Sequence, residues 1–139
     1  MVRPATLARV GLGCLGAILA SPVGLALMLT ASRSHGSSAL AVIGLAQLLG
    51  LAGLAWAFRS HALAALAGAV MSTFYLVWYL FYPGGRDWAS FCFLEQITVV
   101  TAYGVFSAIR PGRRGLRVAA VVAPLVLVGV VLLCRRWVG

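Results

Sequence analysis

The sequence is poor in charged residues, and acids are the scarcest of them. Its 139 residues include 2 acidic and 11 basic side chains, all the basic ones are arginine, and Lys and Asn are absent. Charged residues make up 9% of the chain and apolar residues 63%, whereas a soluble domain carries about a quarter charged and roughly 45–50% apolar residues. These proportions exclude a soluble globule, a disordered tail, a secreted disulfide scaffold and a coiled coil. A polytopic membrane protein remains.

Side chains that could perform catalysis or hold a cofactor are also scarce. The sequence contains no pair of carboxylates, no Ser–His–Asp arrangement and no metal-ligand spacing among its cysteines. His35 and His61 fall in connections on opposite sides of the predicted membrane, where we expect them to be solvated, so they cannot share a haem or a metal. We therefore predict no catalytic residue, no metal site and no cofactor, and an enzyme is disfavoured.

The net charge of +9 does not indicate a nucleic-acid surface. The arginines stand singly or in short clusters between long uncharged runs. A phosphate-binding surface would instead concentrate them on one face or along one helix. We expect no nucleic-acid partner.

Five uncharged or nearly uncharged runs divide the chain, each within the roughly 17–25 residues that a helix needs to cross a bilayer. They are residues 10–31, 39–58, 62–82, 88–109 and 118–134. The connections between them are short, which is typical of antiparallel neighbours. The sequence thus predicts a single all-α domain over residues 1–139, a compact bundle of five transmembrane helices. Because the last run is the shortest, four spans plus an interfacial C-terminal helix is the alternative.

The arginines also predict an orientation. One side collects Arg3, Arg9, Arg59, Arg110, Arg113, Arg114 and Arg117, and the other collects Arg33, Arg86, Arg135 and Arg136. The positive-inside rule then places the N-terminus in the cytoplasm and the C-terminus outside, in a bacterial inner membrane. The run at residues 10–31 exceeds the roughly 7–15 apolar residues of a cleaved signal peptide, so we expect it to be retained as a helix.

Glu95 is the only charged residue inside a predicted span. At about 1.5 Å per residue it lies about 10 Å below the external surface. Other polar side chains of the second, third and fourth spans fall in the same external half, at comparable depth: Gln47, Tyr75, Ser72, Thr73 and Gln96. An ionised acid costs a few kcal/mol or more in hydrocarbon, so an intramembrane carboxyl suggests function.

Two interpretations of this polar layer stay open. In one, Glu95 and its neighbours line an outward-facing ligand pocket or a proton or cation path. In the other, the acid is protonated or paired within an interhelical hydrogen-bond cluster that fixes packing. Arg86 and Arg33 are the basic residues that could reach it from the external loops.

Small residues and prolines predict how the helices pack. Gly16, Ala20 and Gly24 recur every four residues in the first span, and Ala64, Gly68 and Ser72 do so in the third. This spacing lets helix backbones approach closely, within the bundle or against another subunit. Two prolines, Pro22 and Pro124, are expected to kink the first and last helices or to leave backbone carbonyls free.

The cysteines allow one disulfide. Cys92 and Cys134 both lie near the external end of their spans, where oxidation is permitted in bacteria. A bridge between them is therefore possible, with two unpaired buried thiols as the alternative.

The near absence of reactive groups favours a non-enzymatic function. The first hypothesis is an accessory or scaffold subunit of a membrane complex, held in the lipid bilayer and contacting other membrane subunits or itself through the small-residue faces. The alternative is a carrier or binding protein for a lipid-like or small hydrophobic ligand, using the polar layer around Glu95. A membrane enzyme acting on lipid head groups or quinones and a pore-forming lysis protein are weaker alternatives.

Overall fold

The computed structural model describes residues 3–31 and 37–138. Within them the chain is all-helical, as predicted, and contains no strand. The helices are α1 Pro4–Ala20, α2 Pro22–Ala31, α3 Ser37–Phe58, α4 His61–Phe81, α5 Arg86–Ala108 and α6 Arg114–Val138, with a 3₁₀ turn at Pro83–Gly85.

The helices follow the apolar runs of the sequence. α3, α4 and α5 each begin and end within two residues of the predicted limits. These three helices and α6 are individually long and apolar enough to cross a membrane, and α1 with α2 forms a fifth, bent unit. Residues 32–36, which include Arg33 and His35 of the predicted first connection, lie outside the described residues.

α6 is longer than the apolar run that predicts it. It spans 25 residues and continues through Pro124 into both flanking arginine clusters. Pro124 has no N–H, so the carbonyl of Ala120 lacks its usual donor four residues later. Gly104 of α5 packs on that carbonyl, and a Cβ at position 104 would lie 2.6 Å from its oxygen. The carbonyl that Pro124 leaves without its helical donor is therefore the place where α5 and α6 come into close contact.

The first apolar run is broken, and the break explains the bend. α1 ends at Ala20, Ser21 is extended with φ −83° and ψ 164°, and α2 begins at Pro22. The Ser21 hydroxyl accepts a hydrogen bond from the Gly24 N–H at 3.3 Å, which replaces a helical acceptor. The two helices meet at 66°. Pro22 thus distorts the first helix as predicted. Whether the chain has four or five spans depends on this first run, and not on the last run as the sequence suggests.

Glycines let α1 lie directly against α3. A Cβ at Gly16 would collide with the carbonyl oxygen of Gly50, and one at Gly53 would lie 3.1 Å from the carbonyl oxygen of Leu12. In the other predicted repeat, Ala64, Gly68 and Ser72 are all buried. Both small-residue repeats therefore contribute to packing within the chain, one of the two arrangements that their spacing predicts.

Two groups of buried side chains form the core, and two buried glutamines of α3 and α5 lie beside them. The larger group joins α1, α3, α4, α5 and α6 and includes Leu51, Val100 and Tyr103. The smaller joins α2 to α3, α4 and α5. Its members are Leu25, Ile43, Tyr75, Cys92, Phe93 and Ile97. Gln47, fully buried, lies between the two groups along α3, whereas the fully buried Gln96 lies between Phe93 and Ile97 of the smaller group on α5.

Candidate functional site

Three helices exchange polar contacts at the break between α1 and α2. The Gln47 Nε2 of α3 donates to the Gln96 Oε1 of α5 at 2.8 Å. Gln96 Nε2 in turn donates to the carbonyl oxygen of Ala20 at 2.7 Å. In a continuous helix that carbonyl would accept from the Gly24 N–H, which bonds to Ser21 instead. The side chain of Gln96 therefore satisfies a backbone group that the break exposes.

Glu95 adjoins this pair of glutamines. The Gln47 Oε1 lies 2.6 Å and 2.9 Å from the two carboxyl oxygens of Glu95. Both amides are fully buried, while Glu95 is half-buried. The structure thus joins three of the six predicted site residues into one cluster, which we call the Glu95 cluster: Glu95, Gln47, Gln96 and the Ala20 carbonyl.

Two predicted site residues bond within their own helix instead. Ser72 Oγ donates to the Gly68 carbonyl at 2.9 Å, and Thr73 Oγ1 donates to the Val70 carbonyl at 2.6 Å. Such bonds to the preceding turn satisfy a hydroxyl locally and need no interhelical partner. Depth along the helix put these residues in the right layer, but it did not decide which side chains meet.

Beside the cluster lies an apolar groove with a volume of about 870 Å³. It opens where α2 bends away from α1, between α2, α4 and the first turns of α5. Its walls carry five aromatic rings, those of Tyr75 and of Phe74, Trp78, Trp88 and Phe91. The remaining lining residues are Pro22, Val23, Leu25, Ala26, Leu29, Thr30, Leu40, Val70, Met71, Thr73 and Cys92. Glu95, Gln47, Gln96 and Ser72 are not among them.

Tyr75 connects the groove to the core. It lines the groove, yet it is 2% exposed. Among the described residues, its hydroxyl and the Arg117 Nε are the buried side-chain polar atoms without a hydrogen-bond partner. A buried hydroxyl without a partner costs about 1–3 kcal/mol. A residue of the groove wall therefore carries a hydrogen-bond donor without a partner.

Of the two predicted cationic partners, Arg86 bonds elsewhere than to Glu95. Arg86 donates from Nε to the Tyr79 carbonyl at 3.0 Å, and its guanidinium carbon lies 5.7 Å from the centre of the Tyr79 ring. Arg33 lies outside the described residues. Glu95 instead interacts electrostatically with the side chains of Tyr75 and Cys92.

The cysteines are free thiols. Cys92 is buried and Cys134 is half-buried, so the disulfide that their positions allow is not formed in the structure. In the part of the chain that is described, no group of three or more His, Cys, Asp or Glu side chains could hold a metal ion.

Sequence reasoning missed a second polar contact, at the opposite end of the bundle. His61 is the first residue of α4 rather than a loop residue, and its Nδ1 lies 2.6 Å from the Tyr103 Oη. Its ring also meets Phe106 edge-on, with centroids 5.3 Å apart. The expectation of a solvated His61 is therefore wrong. Ser60 carried the signal, because a serine before a periodic apolar run is a typical helix N-cap, and it does accept from the Leu63 N–H.

The Glu95 cluster can hold or release a proton, and the groove can hold an apolar chain with a hydrogen-bond acceptor. The chain matches no protein-family model, and searches of curated proteins and of solved structures gave no significant match.

Proposed function

We propose that the protein is an integral protein of the bacterial inner membrane with five spans, the first of them broken at Ser21. Its helices are long and apolar enough for this number only if α1 and α2 together count as one span. Large apolar side chains cover the outside of the bundle, including Leu27, Val70 and Leu94, each more than 60% exposed. Such a surface is stable in lipid and unstable in water.

The orientation proposal gives a direct expectation. Seven arginines on the side of the N-terminus and four on the other place the N-terminus in the cytoplasm and Gly139 outside. A phosphatase reporter, active only outside the cytoplasm, should therefore be active when fused to Gly139, and a fluorescent protein that matures only in the cytoplasm should be dark there. The reverse pattern would mean an even number of spans or an inverted bundle.

Within that membrane, we propose that the chain binds one lipid-like or small hydrophobic molecule in the groove between α2, α4 and α5. The observation that carries this proposal is the unpartnered hydroxyl of Tyr75, a residue that lines a mostly apolar groove rich in aromatic rings. Ligand sites are typically concave and apolar with a few polar groups that fix orientation. The expected ligand has an apolar chain and an oxygen that can accept a hydrogen bond from the Tyr75 hydroxyl.

Binding can be measured with a fluorescent polyene fatty acid, which receives excitation energy from tryptophan. Trp78 and Trp88 line the groove, so bound probe should give saturable energy transfer with one site per chain. The double substitution Ala26→Phe with Thr73→Phe fills the groove from α2 and α4, and we expect it to weaken binding at least several-fold because the volume is taken.

The matched control places the same two rings outside the groove. Ala52 and Ala102 are exposed on α3 and α5 and do not line it, so Ala52→Phe with Ala102→Phe should leave the probe's affinity unchanged. Energy transfer that rises without saturation, or that the groove-filling pair leaves unaltered, would mean that the probe only partitions into detergent.

A second function, an accessory or scaffold subunit of a larger complex, is favoured by α6. Only 11% of its most apolar segment is buried, against 33–50% in the other three unbroken helices. A position on its outer face, Gly129, has no neighbour within 4 Å. This face is free to contact another subunit. The binding experiment separates the two functions, because a subunit without a ligand gives no saturable energy transfer.

A further inference from the structure

The hydrogen bonds of the Glu95 cluster run in one direction, and a backbone atom fixes that direction. The carbonyl of Ala20 can only accept, so Gln96 must turn its Nε2 toward it. Gln96 Oε1 then faces Gln47 and must accept from its Nε2. The Gln47 Oε1 is consequently left facing the two oxygens of Glu95. A bond can form there only if Glu95 donates.

An ionised Glu95 cannot be accommodated by turning the amides. A half-turn of the Gln47 amide would let its nitrogen donate to the carboxylate at 2.6 Å and 2.9 Å, but its oxygen would then lie 2.8 Å from Gln96 Oε1. Turning Gln96 as well only moves the conflict to the Ala20 carbonyl, 2.7 Å away. Every arrangement with a carboxylate leaves one pair of acceptors in contact. Such a conflict in a buried network costs more than a surface contact would.

We propose that the Glu95 cluster is a proton-binding site, in which a protonated Glu95 closes a directed hydrogen-bond chain through Gln47 and Gln96 to the Ala20 carbonyl at the α1–α2 break. Loss of the proton reverses the direction at Gln47. It thereby frees the Ala20 carbonyl and loosens the α1–α2 junction from α3 and α5. The reaction is a simple ionisation: the carboxyl O–H bond breaks, its electron pair stays on oxygen, and the proton leaves to water.

The surroundings of Glu95 favour a proton over a metal ion. The 2.6 Å separation between the Gln47 oxygen and a carboxyl oxygen is typical of O–H···O hydrogen bonds. A metal ion held between two oxygens separates them farther, since each metal–oxygen distance is about 2.0–2.6 Å. The titratable groups that interact with Glu95 are Tyr75 of α4 and Cys92 of its own helix. α3 presents Gln47, which does not titrate, and among the described residues no arginine or histidine forms an ion pair with the acid.

The proton can be observed directly by infrared spectroscopy. The chain contains two acidic side chains, Glu95 and Asp87, so few carboxyl signals overlap. Purified protein at neutral pH should show the C=O stretch of a protonated carboxylic acid. Glu95→Gln should abolish that band and Asp87→Asn should retain it. If Glu95 absorbs only as a carboxylate at neutral pH, or if Glu95→Gln leaves the band in place, the proton site does not exist.

The loosening of the junction can be observed through Cys92. It lies in the groove, buried beside α2, and a maleimide should react with it when α2 moves away. The measurement uses a Cys14→Ser, Cys134→Ser background with and without Glu95→Gln, and compares the labelling rate of Cys92 in the two proteins at each pH. The ratio of the rate with Glu95 to the rate with Glu95→Gln should rise several-fold over the pH range in which the carboxylic-acid infrared band disappears. The amide introduced by Glu95→Gln donates to Gln47 at every pH, so the hydrogen-bond chain to the Ala20 carbonyl stays intact in this variant. Its labelling rate therefore corrects for the increase in reactivity that comes from ionisation of the Cys92 thiol.

The direction of the labelling change is diagnostic. Direct repulsion between a Glu95 carboxylate and the Cys92 thiolate would slow the reaction, so only opening of the junction gives a faster one. If the ratio of the two labelling rates stays constant or falls while the infrared band disappears, the proposed loosening of the α1–α2 junction is wrong. Addition of sodium ions that moves the infrared band at constant pH would show that a metal ion competes for the site. Neither measurement requires a ligand in the groove, so the proton site can fail or stand independently of the proposed function.

Discussion

Gly16→Leu is expected to separate α1 from α3 and to lower the free energy of unfolding by about 3 kcal/mol, at the upper end of the usual cost of overpacking. Any Cβ at this position would collide with the Gly50 carbonyl oxygen, and it would also lie 3.0 Å from the Leu54 nitrogen. Both obstacles are backbone atoms of α3, so no side chain can rotate away to make room. The loss should appear as a lower midpoint in thermal or denaturant unfolding of the detergent-solubilised protein.

Gly11 of the same helix provides the control. A Cβ there meets nothing within 4 Å, so Gly11→Leu adds the same side chain on the outside and should leave stability unchanged or raise it by up to about 1 kcal/mol through helix propensity. Equal losses in the two variants would mean that the loss does not come from the contact with α3, since Leu favours a helix more than Gly does. The close α1–α3 contact would then not be needed for stability.

Gln96→Leu is expected to destabilise the protein by about 2 kcal/mol. Interhelical hydrogen bonds in membranes average about 0.6 kcal/mol when their partners find substitutes. Here the Ala20 carbonyl and the Gln47 Nε2 both lose their partner. Gln47 is fully buried, and each buried group left unsatisfied costs about 1–3 kcal/mol. The cost of the unsatisfied buried groups therefore exceeds the average contribution of an interhelical hydrogen bond. Chemical unfolding in detergent should detect the loss of stability.

A double-mutant cycle tests whether the two glutamines act as one unit. Gln47→Leu combined with Gln96→Leu should cost about 1 kcal/mol less than the sum of the single changes, because the bond between them is lost only once. Thr98→Val is the control, since Thr98 is exposed and bonds to the Leu94 carbonyl of its own turn. Strictly additive losses would contradict the interhelical bond at this position.

The extent of the helices could be predicted from the sequence because it depends on two quantities that apply to each helix separately. These are the thickness of the hydrocarbon layer and the free-energy cost of placing a charged side chain in it. A run of apolar residues between arginines has a length that depends on the bilayer alone. α3, α4 and α5 accordingly begin and end within two residues of their predicted limits. The same reasoning underestimated α6, because a helix can extend beyond its apolar run into flanking arginines.

The candidate site could be predicted only in part. Rise per residue placed Glu95, Gln47 and Gln96 at a common depth, and the structure joins them. Depth does not fix the rotation of a helix about its axis, so it could not exclude Ser72 and Thr73, whose hydroxyls bond to their own helix. It also could not identify the Ala20 carbonyl, a backbone atom that no side-chain pattern marks.

The sequence by itself determined the helical class, the apolar segments, a distortion of the first segment at Pro22 and the single acid within the segments. These depend on local properties, namely side-chain solvation and the missing N–H of proline. Only the tertiary structure decided that the carbonyl freed by the break meets Gln96, that Glu95 faces an acceptor and that α2 leaves a groove beside Tyr75. Those outcomes depend on the packing of residues far apart in sequence, where close glycine contacts set which helix faces meet.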